Sequence, residues 1–329
     1  MPNSMQLPPL DIILTFDTDN DMFDYTLSFD SYEDLRARLQ WKGVEEGIPQ
    51  IRSVLRSVVD SHEKSACATW FVRADNQLRD LTGTAAYLLE QYAPLWKQLA
   101  VEGDELGMHP HLYRETSSGW VQETNPDRLR TNVQLALDAF QTSGWYPVVS
   151  RMGEAYCCNA LLAELDALGF KADSTAMPGR IRKDDERLLD WKNTPQHPYH
   201  PSILDYRVPG KESLQILEIP MSMAHVKADY DRCPFPRYVD LSFHPRALGD
   251  GLRKMLPHTS LLVTITHPSA VLKGLNTKPH GLLSFDLNSF KTNLRTIVDE
   301  CSATNRPFRF RTMSQLLSNH QHERDKENE

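Results

Sequence analysis

The 329-residue chain has no apolar run long enough to cross a bilayer. Its longest, Leu10 to Leu14 and Leu261 to Ile265, are of strand length, against the roughly 20 residues that a membrane helix needs. Positive charge is also scarce: 36 Lys and Arg stand against 44 Asp and Glu, a net charge of −8. Such a balance lacks the basic footprint of a nucleic-acid binder. Cys67, Cys157, Cys158, Cys233 and Cys301 are odd in number and show no CxxC spacing. A zinc ribbon or a thioredoxin-like site is thereby excluded, and reduced, mostly buried thiols are expected. No GxGxxG or GxxxxGK[ST] follows any predicted strand, so a nucleotide-binding fold loses its signature. Residues 1–9 lack the basic and apolar regions of a secretory signal, and a core strand is predicted directly after them, so the expected location is cytoplasmic.

What remains is an alternation of strand and helix patterns. Asp11 to Phe16 reads as a buried strand running into an acidic loop. An irregular acidic and aromatic insertion spans Asn20 to Glu46, after which Ile51, Val54, Leu55 and Val58 share a helical face. Strands follow at Ala66 to Val72 and Glu105 to His109, separated by a helical stretch, Gly83 to Ala100, that Pro94 should break. Asn125 and Pro126 form an N-cap and N1 pair for the next helix. Pro147 to Ser150 then reads as strand, Asn159 to Leu168 as helix closed by Gly169, and Phe170 to Asp173 as strand. From Ser174 to Pro209 the periodicity stops, and this stretch is expected to lie over a functional site. Strands resume at Leu214 to Ile219, Leu261 to Thr266 and Phe308 to Phe310, with a helix carrying Leu287, Phe290, Leu294 and Ile297 before the last. The prediction is an α/β fold with a parallel sheet, barrel or open, over residues 1–318 as one domain, and a disordered polar tail at 319–329.

Three predicted strand ends carry ligand-type residues. The first ends in Asp17 and Asp19, the third in His109-Pro110-His111, and a late one in His267-Pro268. Residues two apart in an extended chain point the same way, so the two aspartates can share a face, as can the two histidines. Pro110 reinforces this by biasing His109 towards the extended region. Two imidazoles, one carboxylate and an open position suit a catalytic zinc or another divalent ion.

At these residues the chain resembles the polysaccharide deacetylase family (NodB-like, carbohydrate esterase 4-type), as a divergent member. The resemblance runs from Leu10 to Leu317 and includes the segments Leu14 to Asp19, Ala68 to Val72, Gly103 to His111, Arg151, Leu168 to Thr175, and Ile265 to His267. It implies a distorted (β/α) barrel with long insertions over its mouth, and a metal-dependent hydrolase that removes an N-acetyl or similar acyl group from a sugar or saccharide. It also implies that Asp17 is the general base and His267 the general acid, while Asp19, His109 and His111 hold one divalent ion. Zinc is expected first, with Co, Ni, Mn and Fe as the other candidates. Arg151 would orient Asp17, and Asp173 would tune the site from nearby.

The sequence departs from the family pattern in three places. The usual His-x-x-x-His meets Tyr113 where its second histidine should stand, the usual Arg-x-x-Tyr meets Glu154, and the aromatic after the fourth-motif acids is missing. Two alternatives stay open: a sugar-binding barrel with impaired catalysis, and an amidohydrolase-type metal hydrolase. Tyr199, His200 and Tyr206, in the aperiodic stretch, are candidates for closing over the sugar. A nucleotide-linked sugar, a lipid-linked saccharide and a small glycoside are all compatible substrates.

Overall fold

The protein is described by a computed structural model, for residues 7–21, 36, 39–117, 119–183, 188–273 and 286–317 of the chain. The predicted disordered tail and much of the first insertion lie outside these residues.

The first predicted strand is two short strands in line, β1 (Leu10–Ile13) and β2 (Thr15–Thr18), hinged at Leu14. Next come β3 (Thr69–Arg73), β4 (Glu105–His109), β5 (Val149–Ser150), β6 (Ala172–Asp173) and β7 (Leu217–Glu218). These pair in parallel from β2 through β3, β4, β5 and β6 to β7. Strands β8 (Leu261–Val263) and β9 (Phe308–Arg311) flank β1, also in parallel. Past β7 the chain reaches Ser222, whose N–H donates to Val263 O at 3.0 Å and whose Oγ accepts from Val263 N at 2.9 Å. Those bonds join the β7 end of the sheet to β8 and close a distorted barrel.

The period-2 alternation of the strands sorts the core into two. Ile13, Phe71, Val149, Ala172, Leu217 and Val263 fill the barrel together with Met313 and Leu316. Met313 N donates to Thr69 Oγ1 and Ser314 N to Glu105 Oε2, so the plug sits at the N-terminal ends of β3 and β4. Gly107 makes room inside: a Cβ there would lie 2.6 Å from the Phe71 ring. The intervening residues face outward. Phe16 and Trp70 are partners across β2 and β3, stack at 4.3 Å, and belong to the larger core beneath the helices.

The helical layer follows its sequence signals closely. Asn125 Oδ1 accepts from Asp127 N and Arg128 N, capping the helix Pro126–Thr142, whose buried side is Leu129, Val133, Ala136, Leu137 and Phe140. Pro94 stands in the first turn of Ala93–Val101, immediately after Tyr87–Gln91, so the predicted break is real. Gly169, with φ of 88°, ends the helix Asn159–Ala167. The helices Asn76–Thr82 and Pro245–Met255 and three antiparallel hairpins were not anticipated.

Candidate metal centre

Parallel pairing brings the C-terminal ends of β2, β4, β5 and β8 to one face, where barrel sites are built. Asp17 lies within β2 and Asp19 just beyond it, two positions apart, while His109 closes β4 and His111 follows. Asp19, His109 and His111 each offer a ligand atom, and these atoms lie within 4.8 Å of one another. His111 Nε2 is 2.8 Å and His109 Nε2 3.6 Å from Asp19 Oδ1. Atoms that share a tetrahedral ion at the usual 2.0–2.2 Å stand about 3.3–3.6 Å apart, and of the observed spacings one lies below that range and the other at its upper edge. His109 supports the fit further. Its Nδ1 is 2.8 Å from the Arg151 carbonyl oxygen, which can only accept, so Nδ1 carries a proton and Nε2 is the ring nitrogen turned to the cluster. That Nε2 is buried and, like Asp19 Oδ1, has no hydrogen-bond partner of ordinary geometry among the described residues. The donor set suits a divalent ion.

Around this centre lie the other expected residues. Arg151, fully buried, donates to Asp17 Oδ1 at 2.9 Å and to Thr15 Oγ1 at 2.7 Å through one nitrogen. Its Nε donates to Ser174 O and its other terminal nitrogen to Ser174 Oγ, while its guanidinium carbon lies 4.3 Å from the Phe71 ring centroid. Arg151 thus fixes Asp17 through its side chain and His109 through its carbonyl. His267 Nε2 is 3.2 Å from Asp19 Oδ2. Burial favours the neutral imidazole there, but Asp19 outweighs it, helped by Asp17 and Asp240, and the group is pushed up to about 9. Burial works to raise the Asp19 carboxyl, yet His111, His109 and His267 hold it well below the ordinary range. His109 is likewise raised against its burial, chiefly by Asp17 and Asp19.

The structure brings Asp17, Asp19, His109, His111, Arg151 and His267 together; Asp173 is not placed among them. Asp173 is in register with Ser150, one residue before the inward Arg151, so the alternation of the strand sends it to the other side of the sheet. Its carboxylate accepts from Ser150 Oγ at 2.7 Å and Thr175 N at 3.0 Å. A further acid whose charge acts on His267, beside Asp19 and Asp17, is Asp240, buried, with Oδ1 accepting from Ser242 N, Ser242 Oγ and Thr266 Oγ1. Sequence reasoning missed it. The only local trace is a serine two positions on, an ordinary turn signal.

The stretch Ser174 to Pro209 is less irregular than its composition indicates. It contains the hairpin Ile181–Lys183 with Leu188–Asp190, and Trp191, fully buried, donates from Nε1 to Ala155 O at 2.9 Å. Tyr199 exchanges backbone hydrogen bonds with Glu218 in β7 and donates its hydroxyl to Tyr206 O, while the Tyr206 hydroxyl donates to Asp190 O. His200 Nδ1 stands 3.2 Å from Ile216 O. The three residues expected to close over a sugar therefore bond within their own segment and beside β7. Through Trp191 the segment also buttresses the loop after β5, at the C-terminal barrel face. There Glu154 and Ala155 both hold left-handed φ, 56° and 54°, a conformation that costs L-residues on the order of 1 kcal/mol or more each.

No family model matches the sequence, and no curated protein matches it. Solved structures do. A candidate polysaccharide deacetylase from Mycobacterium smegmatis is 18% identical over 98% of this chain and 93% of its own, with a TM-score of 0.57. Puue allantoinase is 10% identical over 94% of this chain and 89% of its own, with a TM-score of 0.55. The fold is therefore the distorted (β/α) barrel of the polysaccharide deacetylase type, shared along nearly the whole chain at low identity.

Proposed function

We propose that the protein is a metal-dependent hydrolase that removes an N-acetyl or similar acyl group from a sugar or saccharide. The observation that carries this reading is the cluster of Asp19, His109 and His111 on the C-terminal barrel face, with an Arg-held carboxylate on one side and the His267 imidazole, 3.2 Å from Asp19 Oδ2, on the other. A divalent ion held by these three residues would supply Lewis acidity towards the amide carbonyl and acidify the attacking water. The residues of the chain do the rest. Asp17 has one oxygen tied to Arg151, and its Oδ2, 3.9 Å from His109 Nε2, is the acceptor for the proton of the attacking water. His267, beside Asp19 and under the influence of Asp240, is the group that returns a proton to the departing nitrogen. A free amine and a carboxylate result.

Acetate release from N-acetylglucosamine, its oligomers and nucleotide-linked N-acetyl sugars is the test, run beside metal analysis and with allantoin as a control substrate. The expected result is one equivalent of metal and acetate release from at least one sugar, abolished by chelation and restored by Zn²⁺ or Co²⁺. Bound metal without acetate release from any of them would replace the enzyme by a binding barrel. Hydrolysis of allantoin alone would move the substrate from sugars to another amide.

A further inference from the structure

His111, like Asp19, is a ligand that lies beyond the end of its strand. Strand β4 ends at His109, so the second histidine belongs to a loop, one residue beyond a proline that has no N–H to give. Its peptide is nevertheless bonded at both ends. The Pro110 carbonyl accepts from Gly153 N at 2.9 Å, and the His111 N–H donates to Asp75 Oδ2 at 3.1 Å. Asp75 is itself fully buried at the end of β3. Arg73 Nε donates to its Oδ2 at 2.7 Å, and its Oδ1 caps the helix Asn76–Thr82 through Leu78 N at 2.8 Å. Gly153 contributes a second restraint, since a Cβ at this position would stand 2.3 Å from His111 Cδ2 and 2.6 Å from Nε2. The imidazole lies flush against bare backbone.

We propose that Asp75 and Gly153 are positioning residues which clamp the Pro110–His111 peptide between the ends of β3 and β5 and thereby aim His111 at a divalent ion. The inference rests on the metal-site reading above. It explains how a histidine placed one residue past Pro110 can serve where the family pattern sets its second histidine further along. A backbone atom of a loop has few ways of staying within a few tenths of an ångström, and a two-ended hydrogen bond to buried partners is one of them.

Asp75→Asn separates the two duties of the carboxylate. The asparagine oxygen can still cap Leu78, because Asn is as good an N-cap as Asp. Its amide NH₂ then faces the N–H groups of His111 and Arg73, donors against donors. Gly153→Ala attacks the same imidazole from the other side. Co²⁺ is the probe: each purified protein is titrated while visible absorption is recorded, and unfolding is followed separately without metal. Both variants should unfold cooperatively without metal, bind Co²⁺ about 10–100-fold more weakly, the usual scale for partners behind a ligand, and show an altered absorption spectrum. In a His111→Ala background neither change should weaken the residual affinity further. Parent-like affinity and spectrum in both variants would overturn the clamp, as would an undiminished further loss in the His111→Ala background, which marks a general structural effect. A parent protein that takes up no Co²⁺ would instead sink the metal reading itself.

Discussion

Asp17 and Asp19 are alike in chemistry and two residues apart, and their surroundings divide them. Arg151 holds Asp17 by one oxygen, whereas Asp19 meets three imidazoles and, among the described residues, no arginine. Asp17→Asn should keep the metal and lower turnover by ~10²–10⁴-fold, the scale of a lost general base. Asp19→Asn and His111→Ala should lose metal first. Metal occupancy and rate measured side by side decide it: occupancy lost in Asp17→Asn but kept in Asp19→Asn reverses the two roles. At this scale the sequence is informative where ligand-type residues stand two apart at a strand end, because alternation alone then predicts a shared face. It is silent for Asp240, Asp75 and Gly153. Asp240 acts on a histidine 27 positions away, and the other two act through backbone atoms, which carry no residue signature. Asp173 shows the opposite error. Its place in a family-like segment pointed to the site, and one residue of strand register sends it to the other side.

Elements hold the residues by close approach as much as by hydrogen bonds. The helical turn Gly43–Gly47 packs against the turn Pro268–Val271, immediately after His267. A Cβ at Gly47 would lie 2.3 Å from Pro268 O, and one at Gly43 2.6 Å from Ser269 N. Gly47→Ala gains up to about 1 kcal/mol of helix propensity, but it drives a methyl into backbone that cannot rotate away, and such overpacking costs about 1–3 kcal/mol. The variant should therefore be less stable, and it should lose kcat more than metal affinity, because the segment it pushes carries His267 and not the three ligands. Equal losses of kcat and metal affinity would count against this coupling. The helices that the sequence announced have caps and full apolar stripes, as Pro126–Thr142 does. Pro245–Met255 was not announced: Gly249 and Gly251 lower its propensity, and only Leu248 and Leu252 among its larger side chains are buried. Its helicity comes from tertiary packing, with Gly251 lying close against Val226 and Ala224.

For the whole molecule, the distinctive electrostatic feature is a pair of acids with no access to water. Asp173 and Glu218 are cross-strand neighbours in β6 and β7, both completely buried. Burial raises both carboxyls; Asp173 raises Glu218 further, well above the ordinary carboxylate range, while the hydrogen bond from Glu218 works to lower Asp173, which burial still keeps above its ordinary value. The charged and titratable groups facing them are Arg151, which favours the Glu218 anion, and Cys157 and Tyr199, which themselves are pushed up by burial and by the two acids. Two like charges so close cannot both form at low cost, so the folded pair retains a proton that the unfolded chain releases near pH 4. Between that pH and the folded value the native state binds more protons than the unfolded state, so stability is full at the acidic end and falls as pH rises. The slope is about 1.4 kcal/mol per pH unit for each extra proton. Glu218→Gln keeps an acceptor for Ala176 N, which bonds Glu218 Oε1 at 2.9 Å, and removes the second charge. The repulsion within a chain of net charge −8 acts on parent and variant nearly alike and largely cancels in the comparison. Urea unfolding of both proteins across about pH 5–9 should show a steeper loss of stability with pH in the parent than in Glu218→Gln. Parallel curves would mean that the pair ionises independently and that no proton is held between the strands.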